Sequence, residues 1–455
     1  MTLTERDWSG FADAVDGVRQ SREDSELRLK SRDFFWFSPI LKPLLEDKRA
    51  EIVVTPADRG ELRRIAAACA RFRIPVTVRG GGTGNYGQAV PLDGGVVLDM
   101  AQINRVLSVE GGVLKAEGGA RMLDIDREIA PTGWELRFHP STRKQATLGG
   151  FLAGGAAGAG SCTWGQISDP GAVLAATVMT LEEEPREIEL TGPDVLKVIH
   201  AYGINGIITD VTLPLAPAYP WAEMLVRFDT LVAAAGFAMT LMKQDAIAKK
   251  LVSVMAPPVM PYLKRPNAHM PAPGAGVVLM VHEAALGQVR PLIEGAGGTV
   301  AYERDATAAR AAAFDGTGAM PPIYEYTWNH TTLHALRMEP EITYLQLRFP
   351  PDAVLEKVAW VEETFPDEVL LHLEFQRRFG AVTCSSLPLV RFTTPERLYA
   401  IIDTLNANDV LVSDPHTFEI NKAGWKRVMV DQPGFKAVAD PHGLMNPGKL
   451  GAEAG

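Results

Sequence analysis

Residues 75–91 read PVTVRGGGTGNYGQAVP, and five of the eight positions from Gly80 to Gly87 are glycine. The string GTGNYG, residues 82–87, satisfies the GxGxxG pattern of dinucleotide-binding turns. A Rossmann turn, however, opens a helix whose N-terminus faces the pyrophosphate. Here the chain continues AVPLDGGVVLDM, in which Pro91 and the Gly94-Gly95 pair interrupt any helix and Val96 to Leu98 have the character of a strand. No acidic residue follows at the spacing a ribose contact needs, and no GK[ST] follows to make a phosphate loop. The glycines therefore join two strands. In such a loop they permit positive φ and close approach of backbone to a ligand, and successive N–H groups form an anion-binding nest.

Upstream, Ile52 to Val54 form a β-branched run, Thr55-Pro56 a turn, and Leu62, Ile65, Ala66 and Cys69 recur at helical spacing before a second strand at Ile74 to Val78. The loop thus follows a βαβ unit. Downstream, a second glycine cluster occupies HPSTRKQATLGGFLAGGAAGAGSCTWGQISD, residues 139–169, and a third opens the strand in YGINGIITDVTLPL, residues 202–215. Three such clusters in one domain exceed what packing requires. LPLAPAYP then reads as a linker. Beyond it, residues 224–242 and 344–363 each read as a strand ending in Arg-Phe followed by a helix, with further strands after each, an internal repeat of two α+β units sharing an antiparallel sheet.

The chain has 455 residues, 46% hydrophobic and 22% charged, enough for two or three domains. A net charge of −10 opposes nucleic acid as a partner. There is no run of about 18 apolar residues to span a membrane and no signal-peptide pattern at the start, so a cytoplasmic protein is expected. Cys69, Cys162 and Cys384 are too few and scattered for a disulfide framework.

The three glycine clusters, with ADPHGLMNPGKL at residues 439–450, resemble in order and spacing the FAD-binding domain of the vanillyl-alcohol oxidase family. The resemblance implies an α+β fold: a two-part PCMH-type FAD-binding domain at 1–217 with an N-terminal arm at 1–45, a substrate-capping antiparallel sheet with helices at 218–410, and a C-terminal segment, 411–455, that returns to the first domain. It implies that Gly80, Gly81, Gly82, Thr83 and Gly84 hold the FAD diphosphate, with Arg79 and Asn85 beside them. Pro140, Ser141, Thr147, Gly149, Gly150 and Gly154 would line the adenosine and isoalloxazine, Gly206 and Ile208 would close the adenine side, and Asn446 and Lys449 would lie toward the ring. Thr83 stands where many members carry a histidine bonded to FAD, and Arg143 where doubly linked members carry a cysteine, so non-covalent FAD is expected. The HxGDGNxH segment of metal-dependent relatives is absent from the sequence, and no metal is expected.

The implied activity is oxidation of a CH–OH group in a small organic molecule, an aromatic or hydrophobic alcohol or a 2-hydroxy acid; a non-redox flavoenzyme and a CH–NH donor are the alternatives. Candidates for proton handling come from the cap. Tyr344, Gln346 and Arg348 alternate along one strand and His372, Glu374 and Gln376 along another, reading as a wet face over the flavin. YEYTWNHTTLHAL, residues 324–336, adds Tyr324, Tyr326, His330 and His334, and SDPHTFEIN adds His416. Tyr326, His330, Arg348, Glu374 and His416 are the catalytic candidates. The proline-rich loop 256–273 reads as a gate whose Lys264 and Arg265 receive a carboxylate. Leu148, bulkier than the valine of some oxidases, favours a dehydrogenase. Oxygen, a quinone or a redox protein remain open as the electron acceptor, and a homodimer is a possible assembly.

Overall fold

The strands on either side of the glycine loop belong to one sheet. The computed structural model describes residues 6–424 and 432–451, so the ends of the arm and of the C-terminal segment lie outside the described residues. Strands β1 (Arg19–Ser21), β2 (Ile52–Thr55), β3 (Val76–Arg79) and β4 (Val96–Asp99) form a sheet in the order β1-β2-β4-β3. β4 is parallel to both β2 and β3. Parallel neighbours need long crossovers. Helix Arg59–Arg71 makes the first, capped by Asp58, whose carboxylate accepts from Glu61 N at 2.9 Å, and burying Leu62, Ile65 and Cys69 against the sheet. The glycine loop, residues 80–95, makes the second.

A second sheet contains β5 (Val106–Glu110), β6 (Val113–Glu117), β8 (Ala175–Met179), β9 (Glu187–Thr191) and the long β10 (Ile207–Pro217), with β7 (Trp134–Leu136) on the far end of β10. Its core is Leu114, Ala116, Phe151, Leu152, Val178 and Val211, among others. The 139–169 segment runs across it as helix Leu148–Gly154, stopped by Gly155 at φ +61, and a short turn of helix Ser161–Trp164.

The repeat in the second half of the chain is a repeat in space. β11 (Trp221–Phe228), helix Leu231–Met242, β12 (Lys249–Met255), β13 (Ala275–His282), helix Leu286–Gly295 and β14 (Thr299–Arg304) make one βαββαβ unit. After a small sheet that includes β15 (Ile342–Tyr344), the second unit follows: β16 (Gln346–Arg348), helix Val354–Thr364, β17 (Val369–Leu370), β18 (His372–Arg378), β19 (Ala381–Ser386), β20 (Leu389–Arg391), helix Pro395–Ala407 and β21 (Leu411–Ser413). The main strands form one eight-stranded antiparallel sheet, β14-β11-β13-β12-β18-β19-β16-β21, in which each half has the same internal order read outward from the seam. The halves join where Ser253, Val254 and Met255 pair with Glu374, Leu373 and His372. β21 is the outermost strand of this sheet, so the cap extends to Ser413 instead of ending at 410. The later residues return to the first sheet, with Asn446 N donating to Val76 O at 2.7 Å.

Candidate functional site

Between the two glycine loops and the cap lies a cavity of about 410 Å³. Gly80 to Asn85 line it, and among the described residues the backbone amides of Gly81 to Asn85 donate to no protein acceptor. The second loop meets the first backbone to backbone: a Cβ on Gly81 would stand 2.1 Å from Gln145 O, and one on Gly80 would stand 2.0 Å from Thr147 Oγ1. Thr147 also caps helix 148–154, accepting from Gly150 N at 3.3 Å. Pro140, Ser141, Thr147, Gly149, Gly150, Gly154, Gly206 and Ile208 line the same cavity. At Gly154 and Gly203 a Cβ would meet nothing within 4 Å, so the cavity reaches the bare backbone there.

Three residues expected near the ligand, Arg79, Asn446 and Lys449, donate to main-chain carbonyls around the loop. Arg79 turns away, its Nη1 donating to the Lys30 and Arg32 carbonyls at 3.0 and 2.6 Å. Lys449 Nζ donates to Gly87 O at 2.6 Å, and Asn446 Nδ2 donates to Gln88 O at 2.7 Å and Tyr202 O at 2.5 Å. Asp33 completes this backing, accepting from Ala89 N at 3.3 Å. Burial raises the Asp33 carboxyl above the usual carboxylate range and lowers the Lys449 ammonium below the usual lysine range. The chain ends thus fix the loop while its amides stay open to the cavity.

Of the catalytic candidates, only His330 lines the cavity. Its Nδ1 lies 3.3 Å from Glu325 O, so Nδ1 carries the proton and Nε2 is left as an acceptor. Burial lowers its pKa below the usual 6.5. Tyr326 is buried against His334, with ring centroids 5.0 Å apart, and burial pushes its phenol up to about 12. Tyr324 is buried as well. His416 spends both nitrogens, on Ser38 Oγ at 2.7 Å and Tyr344 O at 3.1 Å, and burial pushes it down to about 3. Arg348 does not line the cavity. Glu374 lies inside the seam, accepting from Trp328 N at 2.6 Å, His372 Nε2 at 2.7 Å and Ser253 Oγ.

The wet face expected along β18 is therefore buried at His372 and Glu374, because the 324–336 segment packs over it. Gln376 reaches the cavity and accepts from Gln166 Nε2 at 3.0 Å, a link between cap and first domain. The residues 256–273 do not form a gate. They fold as short helical turns on the cap core, Arg265 donates to Ala319 O at 2.7 Å, and neither Lys264 nor Arg265 lines the cavity. Leu148 is buried in the domain core, between Thr147 and Gly149, which line the cavity.

What the sequence reading missed comes from distant elements. Phe34 and Phe37 of the arm, Trp328 and Asn329, and Arg378 and Ser385 of the cap line the cavity, together with the expected Gln346. The arm is separated from the glycine loop by some fifty residues of sequence, and only folding brings them together.

Residues 50–187 match the family model described as FAD binding domain. This part of the chain is similar to the FAD-binding domains that the model describes. Curated proteins are similar over part of the chain: the glycolate oxidase subunit GlcD of Escherichia coli (strain K12) is 32% identical over 199 residues, 42% of this chain and 40% of that one. The D-lactate dehydrogenase of Anaerostipes hadrus is 30% identical over 183 residues, 37% of each chain. The matched stretch thus spans about two fifths of these relatives' length. The whole fold is shared with a solved alkyldihydroxyacetonephosphate synthase, with a TM-score of 0.71 and 13% identity over 99% of this chain and 86% of that one. The geometry fits FAD: a nest of open amides at Gly81 to Asn85 suits a diphosphate, and the bare backbone at Gly154 and Gly203 admits a flat ring system. Among the described residues no helix is long and apolar enough to cross a membrane, and no cluster of three or more His, Cys, Asp or Glu is placed to hold a metal.

Proposed function

We propose that this chain is an FAD-dependent oxidoreductase acting on the CH–OH group of a small 2-hydroxy acid, with FAD held non-covalently. The observation that carries the reading is that Arg378 lines the same cavity as the glycine cradle, beside Gln376 and Ser385. A guanidinium there suits a carboxylate, the group that glycolate and D-lactate, named in two relatives, have in common. FAD bound in the cradle supplies a two-electron acceptor for the substrate's C–H bond. His330 Nε2 accepts the hydroxyl proton. Thr83 offers no imidazole for a bond to the flavin.

The test is anaerobic mixing of the FAD-loaded protein with 2-hydroxy acids, aromatic alcohols and amines. Bleaching of the flavin by a hydroxy acid alone is the expected result; a flavin that stays yellow with all of them refutes oxidation. Acid precipitation that leaves the flavin in the pellet refutes non-covalent binding.

His330 accepts a proton only when neutral, and burial disfavours its charged form. Flavin reduction is therefore expected to be level from neutral pH upward and to fall only as pH drops through a midpoint below 6.5. His330→Gln is expected to slow it about 100- to 10,000-fold. A midpoint above 6.5, or a variant reduced at the wild-type rate, assigns the proton to another group.

A further inference from the structure

We propose that the N-terminal arm walls the substrate end of the cavity and selects a 2-hydroxy acid bearing an aromatic or other large apolar substituent. This rests on the function proposed above.

The arm is built onto the glycine loop. Phe34 N donates to Gly84 O at 2.7 Å, Asp33 Oδ1 accepts from Phe35 N at 2.9 Å, and the Arg79 guanidinium grips the carbonyls of Lys30 and Arg32. This fixes an aromatic cluster in which Phe34 and Phe37 have ring centroids 5.6 Å apart and Phe37 meets Tyr344 at 6.2 Å. Phe34 and Phe37 line the cavity, as do Tyr86 and Leu333.

The cap contributes a polar patch to the same cavity: Gln346, Gln376, Arg378 and Ser385. The two surfaces touch where Gln346 Nε2 donates to Tyr86 Oη. A ligand beside this junction meets amides and a cation on one side and rings on the other. Apolar walls with a few placed polar groups are how pockets fix orientation. A hydroxy acid with its carboxylate toward Arg378 directs its C2 substituent at the rings. Hydrogen or methyl leaves that wall uncovered; a phenyl or benzyl group covers it and gains the burial.

The test compares the second-order rate of anaerobic flavin reduction by phenyllactate and mandelate with that by lactate and glycolate. The wild-type FAD-loaded protein is expected to favour the aromatic acids by at least about tenfold. Phe34→Ala is expected to lower that ratio by about tenfold, and Phe34→Leu to retain most of it. Lactate reducing the flavin as fast as phenyllactate in the wild-type protein overturns the proposal without need of any variant. So does a Phe34→Ala protein whose dissociation constant for FAD rises while the ratio is unchanged, which places the rings against the cofactor. If no hydroxy acid of either kind bleaches the flavin but another donor does, the functional reading itself fails, and with it the substrate class inferred here.

Discussion

Gly81→Ala is expected to lower the affinity for FAD by roughly 10- to 100-fold while leaving the fold of the cap unchanged. The methyl group would stand 2.1 Å from Gln145 O and 2.8 Å from Gln145 C, both backbone atoms of the second glycine loop. No rotamer relieves such a contact, so one loop must move. Overpacking of this kind costs about 1–3 kcal/mol. The amides of Gly81 to Asn85 would be displaced from the positions that the opposite loop defines, and at about 1.4 kcal/mol per tenfold the strain converts into the stated loss. Gly287→Ala, in the cap helix with nothing within 4 Å of the added carbon, is the control. Titration of each apoprotein with FAD, followed by flavin fluorescence, reads the difference. Equal dissociation constants for Gly81→Ala and the wild type show that the cradle is not where the cofactor sits.

Glu374→Ala is expected to destabilise the cap by about 3–5 kcal/mol, the loss usual when one partner of a buried charged cluster is removed. Three donors converge on this carboxylate: Trp328 N, His372 Nε2 and Ser253 Oγ. His372 Nδ1 has no hydrogen-bond partner among the described residues, so the imidazole's polar contact is with Glu374. Trp328 has φ +53, a conformation that a bulky residue adopts only when its surroundings hold it. The bond from its N–H to Glu374 is such a restraint, and Asn329 and His330 follow it directly into the cavity. Glu374→Gln keeps a carbonyl oxygen for one donor and is expected to lose less. Denaturant unfolding measures both. A Glu374→Ala protein within about 0.5 kcal/mol of the wild type, the range of an ordinary surface substitution, refutes the account of the seam.

Gly81 and Glu374 also mark what sequence could and could not disclose. A backbone nest announces itself by composition, because only glycine tolerates the approach, and the loops at 80–85 and 147–154 were readable without any partner being known. The βαββαβ repeat was readable for a similar reason, since a strand and a helix each carry their own period. Side-chain roles in the cap were not. Period two correctly puts His372, Glu374 and Gln376 on one face of β18, but whether that face is wet depends on what crosses it. The 324–336 segment covers the first two and stops short of the third. Arg79, Asn446 and Lys449 show a different limit. The fold brings all three against the glycine loop, and their donors satisfy main-chain carbonyls of that loop and its surroundings. Charge type alone cannot tell a residue that touches a ligand from one that shapes the backbone which does.

The doubled cap sheet divides its labour unequally. Every cap residue that lines the cavity lies at or beyond Trp328; none comes from β11, β12, β13 or β14. The first unit carries weight without meeting the ligand, bracing the second through the three residue pairs at the seam and through the 160–164 turn, where Gly160 N donates to Lys250 O at 2.5 Å. Within the cap, substitutions that reshape the cavity therefore fall between Trp328 and Leu387, alongside Phe34 and Phe37 of the arm, with the twin unit serving as a fixed abutment that need not change with them.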